Sequence, residues 1–147
     1  MKKKKQELSA ALFGCACAVI VWVTIFSREK AVDNPLNFQM FHSFRAVGEE
    51  ILKQGIFGNF LGNILLFIPF GFLLPLVTER TSWWRTLIAG MLLSAGIEII
   101  QRITAKGYFQ IDDMILNTAG TLLGFGIFCA VKKLMPKHEG PTPADNE

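Results

Sequence analysis

Four apolar runs separated by clusters of charge organise the chain. Residues 8–26 carry no charged side chain, residues 60–77 are rich in Leu, Ile and Phe, residues 86–101 hold a single acid, Glu98, and residues 114–131 close the series. A helix crosses the hydrocarbon core of a bilayer with roughly 20 mainly apolar residues, and each run is close to that length. Lipid offers backbone amides and carbonyls no partner, so runs of this kind close their hydrogen bonds internally as helices. The pattern predicts an all-α, polytopic membrane protein with four transmembrane helices.

The connections differ in kind. Residues 79–85 predict a tight turn carrying Trp83 and Trp84, and residues 102–113 a short loop. Residues 27–59 are much longer, and long loops in compact domains are usually functional or locally structured. Within them Phe41, Phe44, Gly48, Ile51 and Leu52 recur at helical spacing, with Arg45, Glu49, Glu50 and Lys53 on the other face. This predicts an interfacial amphipathic helix. The organisation expected is a basic tail over residues 1–7, a four-helix membrane domain over 8–131 and a polar, disordered tail over 132–147.

Charge gives the spans a direction. One set of flanks carries Lys2–Lys5, Arg80, Arg85, Lys132, Lys133 and Lys137. The other carries fewer bases (Arg28, Lys30, Arg45, Lys53, Arg102 and Lys106), mixed with Glu29, Asp33, Glu49, Glu50, Asp112 and Asp113. The positive-inside rule then places both termini in the cytoplasm and the multi-pass chain in the cell membrane. The first run exceeds the length of a signal-peptide core and reads as an uncleaved anchor.

Composition agrees with lipid as the solvent: 51% of residues are hydrophobic and the mean hydropathy is +0.38. A net charge of +3 does not indicate a nucleic-acid partner. Cys15, Cys17 and Cys129 lie within apolar runs, without metal or disulfide spacing. Residues 12–15 only loosely resemble a lipoprotein cleavage box and are followed by too much apolar sequence to be one. His42 and His138 are isolated. No HExxH, GxSxG or phosphate-binding glycine loop is present.

The candidate chemistry is polar residues at membrane depth, where an ionisable group costs roughly 2.5–3.5 kcal/mol to insert. Glu98 and Gln101 share a face of the third run, and Arg102 lies one turn from Glu98. Asn63 sits one turn into the second run and Asn117 one turn into the fourth, four residues after Asp113. All fall in the outer half under the orientation above. Asn63, Glu98, Gln101, Asp112, Asp113 and Asn117 are therefore expected to converge on an outer-facing pocket that binds a ligand. One Asp of the pair is expected to cap the fourth helix, leaving the other for a partner. A divalent-cation site on these oxygens is chemically conceivable, but no ligand spacing supports it, and no metal or cofactor is expected. Pro69 and Pro75 are expected to bend the second helix so that Asn63 turns inward. Gly120 and Gly124 have the GxxxG spacing that lets another helix approach closely, a packing signal that also leaves an oligomer open.

Together these residues resemble the VanZ-like family of bacterial membrane proteins. The resemblance is carried by Leu36-Asn37-Phe38, by residues 63–71 (NILLFIPFG), by residues 97–101 (IEIIQ), and by residues 106–113 (KGYFQIDD) followed by Asn117, Gly120 and Gly124. The sequence departs from the family pattern at Met40, where Pro is frequent, at Lys106, where Arg is common, and at Gln110, where an acid is common. The family's founding member is associated with low-level resistance to the lipoglycopeptide teicoplanin. The resemblance implies a protein that modulates the envelope or binds membrane lipids, a cell-wall precursor or a lipoglycopeptide. An enzyme acting on an envelope lipid through Glu98 and an Asp is the competing expectation, and polar residues serving only as ties between helices are a third.

Overall fold

The computed structural model describes residues 2–26, 59–104 and 111–135. Helix α1 runs Lys2–Val21 and continues through a π-helical turn, Trp22–Phe26. Helix α2 spans Asn59–Thr78, α3 spans Trp83–Ile103 and α4 spans Ile111–Leu134. All four are long and apolar enough to cross a membrane. The chain is an all-α, multi-pass membrane protein. The amphipathic helix expected over residues 41–53, the 105–110 connection and the tail beyond Met135 lie outside the described residues.

Every helix outruns the apolar segment that predicted it. Lysines Lys2 to Lys5, expected as a tail, form the first turns of α1, since Lys is a good helix former and its ammonium can remain in the polar layer. Trp83 and Trp84 belong to the first turn of α3 rather than to the turn before it. They are exposed, with ring centroids 4.2 Å apart. The turn itself shrinks to residues 79–82, because Glu79 takes a left-handed conformation (φ 53°) and ends α2 abruptly. Lys132 Nζ donates to Thr81 Oγ1 at 3.0 Å, joining this turn to the last turn of α4.

The helices are apolar outside and selectively polar inside. Leu92, Ile103, Leu123 and Ile88 are exposed, as lipid-facing residues should be. The apolar core is small: Ile20 of α1, Phe67 and Phe70 of α2 and Ile97 of α3, flanked by Phe13 and Leu93. Phe13 packs on Phe70 with centroids 5.3 Å apart, which fixes α1 against α2. Pro69 and Pro75 are both accommodated inside α2, where Asn63 faces inward together with Phe67 and Phe70.

Helices α2 and α4 run parallel as the tightest pair. A Cβ at Gly120 would strike the carbonyl of Ile64, one at Gly124 the carbonyl of Ile68, and one at Gly71 the carbonyl of Thr121. The glycine spacing offered in the sequence to a second copy is thus taken up by α2 of the same chain. Hydrocarbon drives no apolar association, so close backbone approach and interhelical hydrogen bonds hold such a bundle together.

Candidate functional site

The buried face of α3 is a stripe at four-residue spacing, Thr86, Gly90, Ser94 and Glu98, extended by Ile97 and Gln101. The buried face of α4 answers it with Asp113, Asn117, Thr121 and Phe128, joined by Asp112, Leu116, Gly120 and Gly124. Two contacts set the antiparallel register. A Cβ at Gly90 would lie 2.6 Å from Thr121 Oγ1, and Asn117 Nδ2 donates to Ser94 Oγ at 2.8 Å. Between the two contacts α3 advances four residues while α4 retreats four. One further step of the same size brings Glu98 opposite Asp113.

Helix α2 adds a third side at the same spacing. Gly71 abuts Thr121, Phe67 lies one turn nearer the helix start, and Asn63 one turn beyond that. The interior therefore pairs Gly90 with Thr121, Ser94 with Asn117 and Glu98 with Asp113, and α2 lines it with Gly71, Phe67 and Asn63. The innermost pair is small, and polarity rises toward the end of the bundle where α2 and α4 begin.

All six residues expected at the site are buried at this polar end. Asn63 is 8% exposed, Asn117 3%, Asp113 2%, Glu98 and Gln101 1%, and Asp112 0%. Neither aspartate occupies the cap position: α4 starts at Ile111, so both lie inside its first turn, where their carboxylates meet the positive end of the helix dipole. Arg102, in contrast, points outward and is exposed.

Sequence reasoning missed the hydroxyl residues that connect these groups. Gln101 Nε2 donates to the carbonyl oxygen of Thr24 at 2.7 Å, bringing the π-helical end of α1 into the polar end. Thr24 Oγ1 itself donates back to the Ile20 carbonyl at 2.6 Å, and Thr121 Oγ1 to the Asn117 carbonyl at 2.9 Å. Ser94 stands four residues before Glu98 and Thr121 four after Asn117. That spacing was a signal available in the sequence.

The amides are only half used. Among the described residues Asn63 Nδ2, Gln101 Oε1 and Asn117 Oδ1 are buried without a hydrogen-bond partner. Burying a polar atom unsatisfied costs about 1–3 kcal/mol, so these amide atoms keep hydrogen-bonding capacity at this end. No group of three or more His, Cys, Asp or Glu side chains among the described residues is disposed to hold a metal ion.

Beside the polar end an apolar groove of about 610 Å³ opens between α3 and α4. It is lined by Met91, Ile111, Met114, Ile115, Ala119 and Leu122. Thr118 also lines it, with its hydroxyl spent on the Met114 carbonyl at 2.7 Å.

In sequence the chain is similar to known proteins. The VanZ/LLP1 family model matches residues 13–132. Protein VanZ of Enterococcus faecium is 30% identical over 128 residues, which cover 87% of this chain and 78% of that protein. No solved structure matches the chain.

Proposed function

The chain belongs to the VanZ/LLP1 family, and from that membership we propose that it is a cell-membrane protein that modulates the envelope by binding a ligand at its polar end. The ligand would be a lipid head group, a cell-wall precursor or a lipoglycopeptide. The bias of bases toward Lys2–Lys5, Arg80, Arg85, Lys132 and Lys133 orients both termini to the cytoplasm and the polar end outward. An outer ligand site of this kind would reduce the access of a lipoglycopeptide such as teicoplanin to its targets.

One observation carries the reading. Asn63, Glu98 and Asp113 are all buried at the polar end, together with amide atoms of Asn63, Gln101 and Asn117 that make no hydrogen bond. A cluster serving only to tie helices would be expected to satisfy itself, because each unsatisfied atom weakens the bundle. The bonds Asn117–Ser94 and Gln101–Thr24 are such ties. The remaining polar atoms of the same two side chains are what a ligand would engage.

The experiment is expression of the wild type and of Asn63→Ala, Glu98→Ala and Asp113→Ala, at matched abundance, in a teicoplanin-susceptible host. Wild type is expected to lower susceptibility and surface drug binding, and each variant to restore them. If neither expression nor mutation changes susceptibility or binding, the proposal fails. Opposed carboxylates at Glu98 and Asp113 also suit an acid–base pair acting on an envelope lipid. A lipid or precursor species that appears or vanishes only with the wild type would favour catalysis over binding.

A further inference from the structure

We propose that the groove between α3 and α4 seats one acyl chain of a membrane lipid taken from the leaflet at the polar end. The head of that lipid would lie at the start of α4. This deepens the binding function above by naming the ligand class, and it rests on the polar end being the binding end.

Position and length carry the inference. The described residues that line the groove all belong to helices long and apolar enough to cross a membrane, which makes hydrocarbon its occupant. Along α4 they run from Ile111, the residue before buried Asp112, to Leu122. Those eleven steps along α4 rise about 16 Å. Half of a hydrocarbon core of about 30 Å is nearly the same length, so the groove runs from the interface to the mid-plane and spans one leaflet.

Its lining suits a flexible chain. Met91 and Met114 can adapt to an irregular occupant, and Ala119 leaves room between them. Thr118 presents no spare donor, since its hydroxyl is bound to the Met114 carbonyl.

The test is photolabelling of the full chain in vesicles of phosphatidylethanolamine and phosphatidylglycerol. The probe is a trace of phosphatidylethanolamine with a diazirine on one acyl chain, and labelled residues are read by peptide mass spectrometry. Labelling of Met114, Ile115 and Leu122 should exceed that of the exposed residues Leu65, Leu92 and Ile127 roughly tenfold, the ratio given by about 1.4 kcal/mol of preference. Filling the groove with Ala119→Trp, or more gently with Ala119→Leu, should abolish the excess and leave the reference residues labelled as before. Even labelling of all lipid-facing residues in the wild type overturns the proposal whatever the variants do. Even labelling together with drug binding that still depends on Glu98 and Asp113 would remove the groove and leave the binding function standing.

Discussion

Asn117 Nδ2 donates a 2.8 Å hydrogen bond to Ser94 Oγ, with both side chains buried between α3 and α4. The bond sits one layer below Glu98 and Asp113 and one layer above the Gly90–Thr121 contact. It therefore fixes the register that opposes the two carboxylates, and with it the geometry on which the proposed site depends.

That register can be checked by cross-linking. Cysteine pairs at 94/117 and 98/113, introduced after replacing Cys15, Cys17 and Cys129, should join under a short oxidative or bifunctional reagent. Pairs displaced by one turn, such as 98/117 and 94/113, should not. Efficient joining of the displaced pairs would show a different helix alignment and separate Glu98 from Asp113.

Ser94→Ala should weaken the bundle modestly, because it strips the partner from Asn117 Nδ2. Interhelical hydrogen bonds in membranes average about 0.6 kcal/mol and reach about 1.7 kcal/mol. Equilibrium unfolding in mixed micelles should give a loss in that range. A Ser94→Ala protein as stable as the wild type would mean that the bond holds position without contributing measurable stability.

The glycines separate into two classes. Gly71→Ala, Gly120→Ala and Gly124→Ala each drive a Cβ into a backbone carbonyl of the facing helix and should cost about 1–3 kcal/mol, the usual range for overpacking. Gly14→Ala, Gly62→Ala and Gly126→Ala meet nothing within 4 Å and should be neutral or slightly stabilising. Comparable melting temperatures across all six variants would contradict the close α2–α4 approach.

Gln101→Leu should loosen the end of α1. It leaves the Thr24 carbonyl buried with its acceptor unused, at a cost of about 1–3 kcal/mol. Hydrogen exchange over residues 22–26 should accelerate while the middle of α4 keeps its protection. Acceleration spread evenly through the bundle would indicate a global role for Gln101 rather than a tie to α1.

Much of the candidate site could be read from the chain because the signal was energetic. A carboxylate at Glu98 or an amide at Asn63 is costly in lipid wherever it points, so each had to turn inward. Ser94, Thr121 and Thr24 went unnoticed for the opposite reason. A hydroxyl can bond its own helix four residues back, as Thr24 and Thr121 do, and so imposes no demand visible in one dimension.

The sequence by itself determined the number of membrane spans and their helical nature. Bilayer thickness and backbone hydrogen bonding are constraints that each segment meets alone. Only the tertiary structure decided which faces meet. Gly120 and Gly124 could have served a second copy, but Ile64 and Ile68 carry a matching four-residue spacing on α2 and the glycines pack there. Tertiary packing likewise recruited α1, read from its sequence as an anchor, into the polar end through the Thr24 carbonyl. Helix register depends on contacts between residues far apart in the chain, such as Gln101 with Thr24, and no local pattern encodes it.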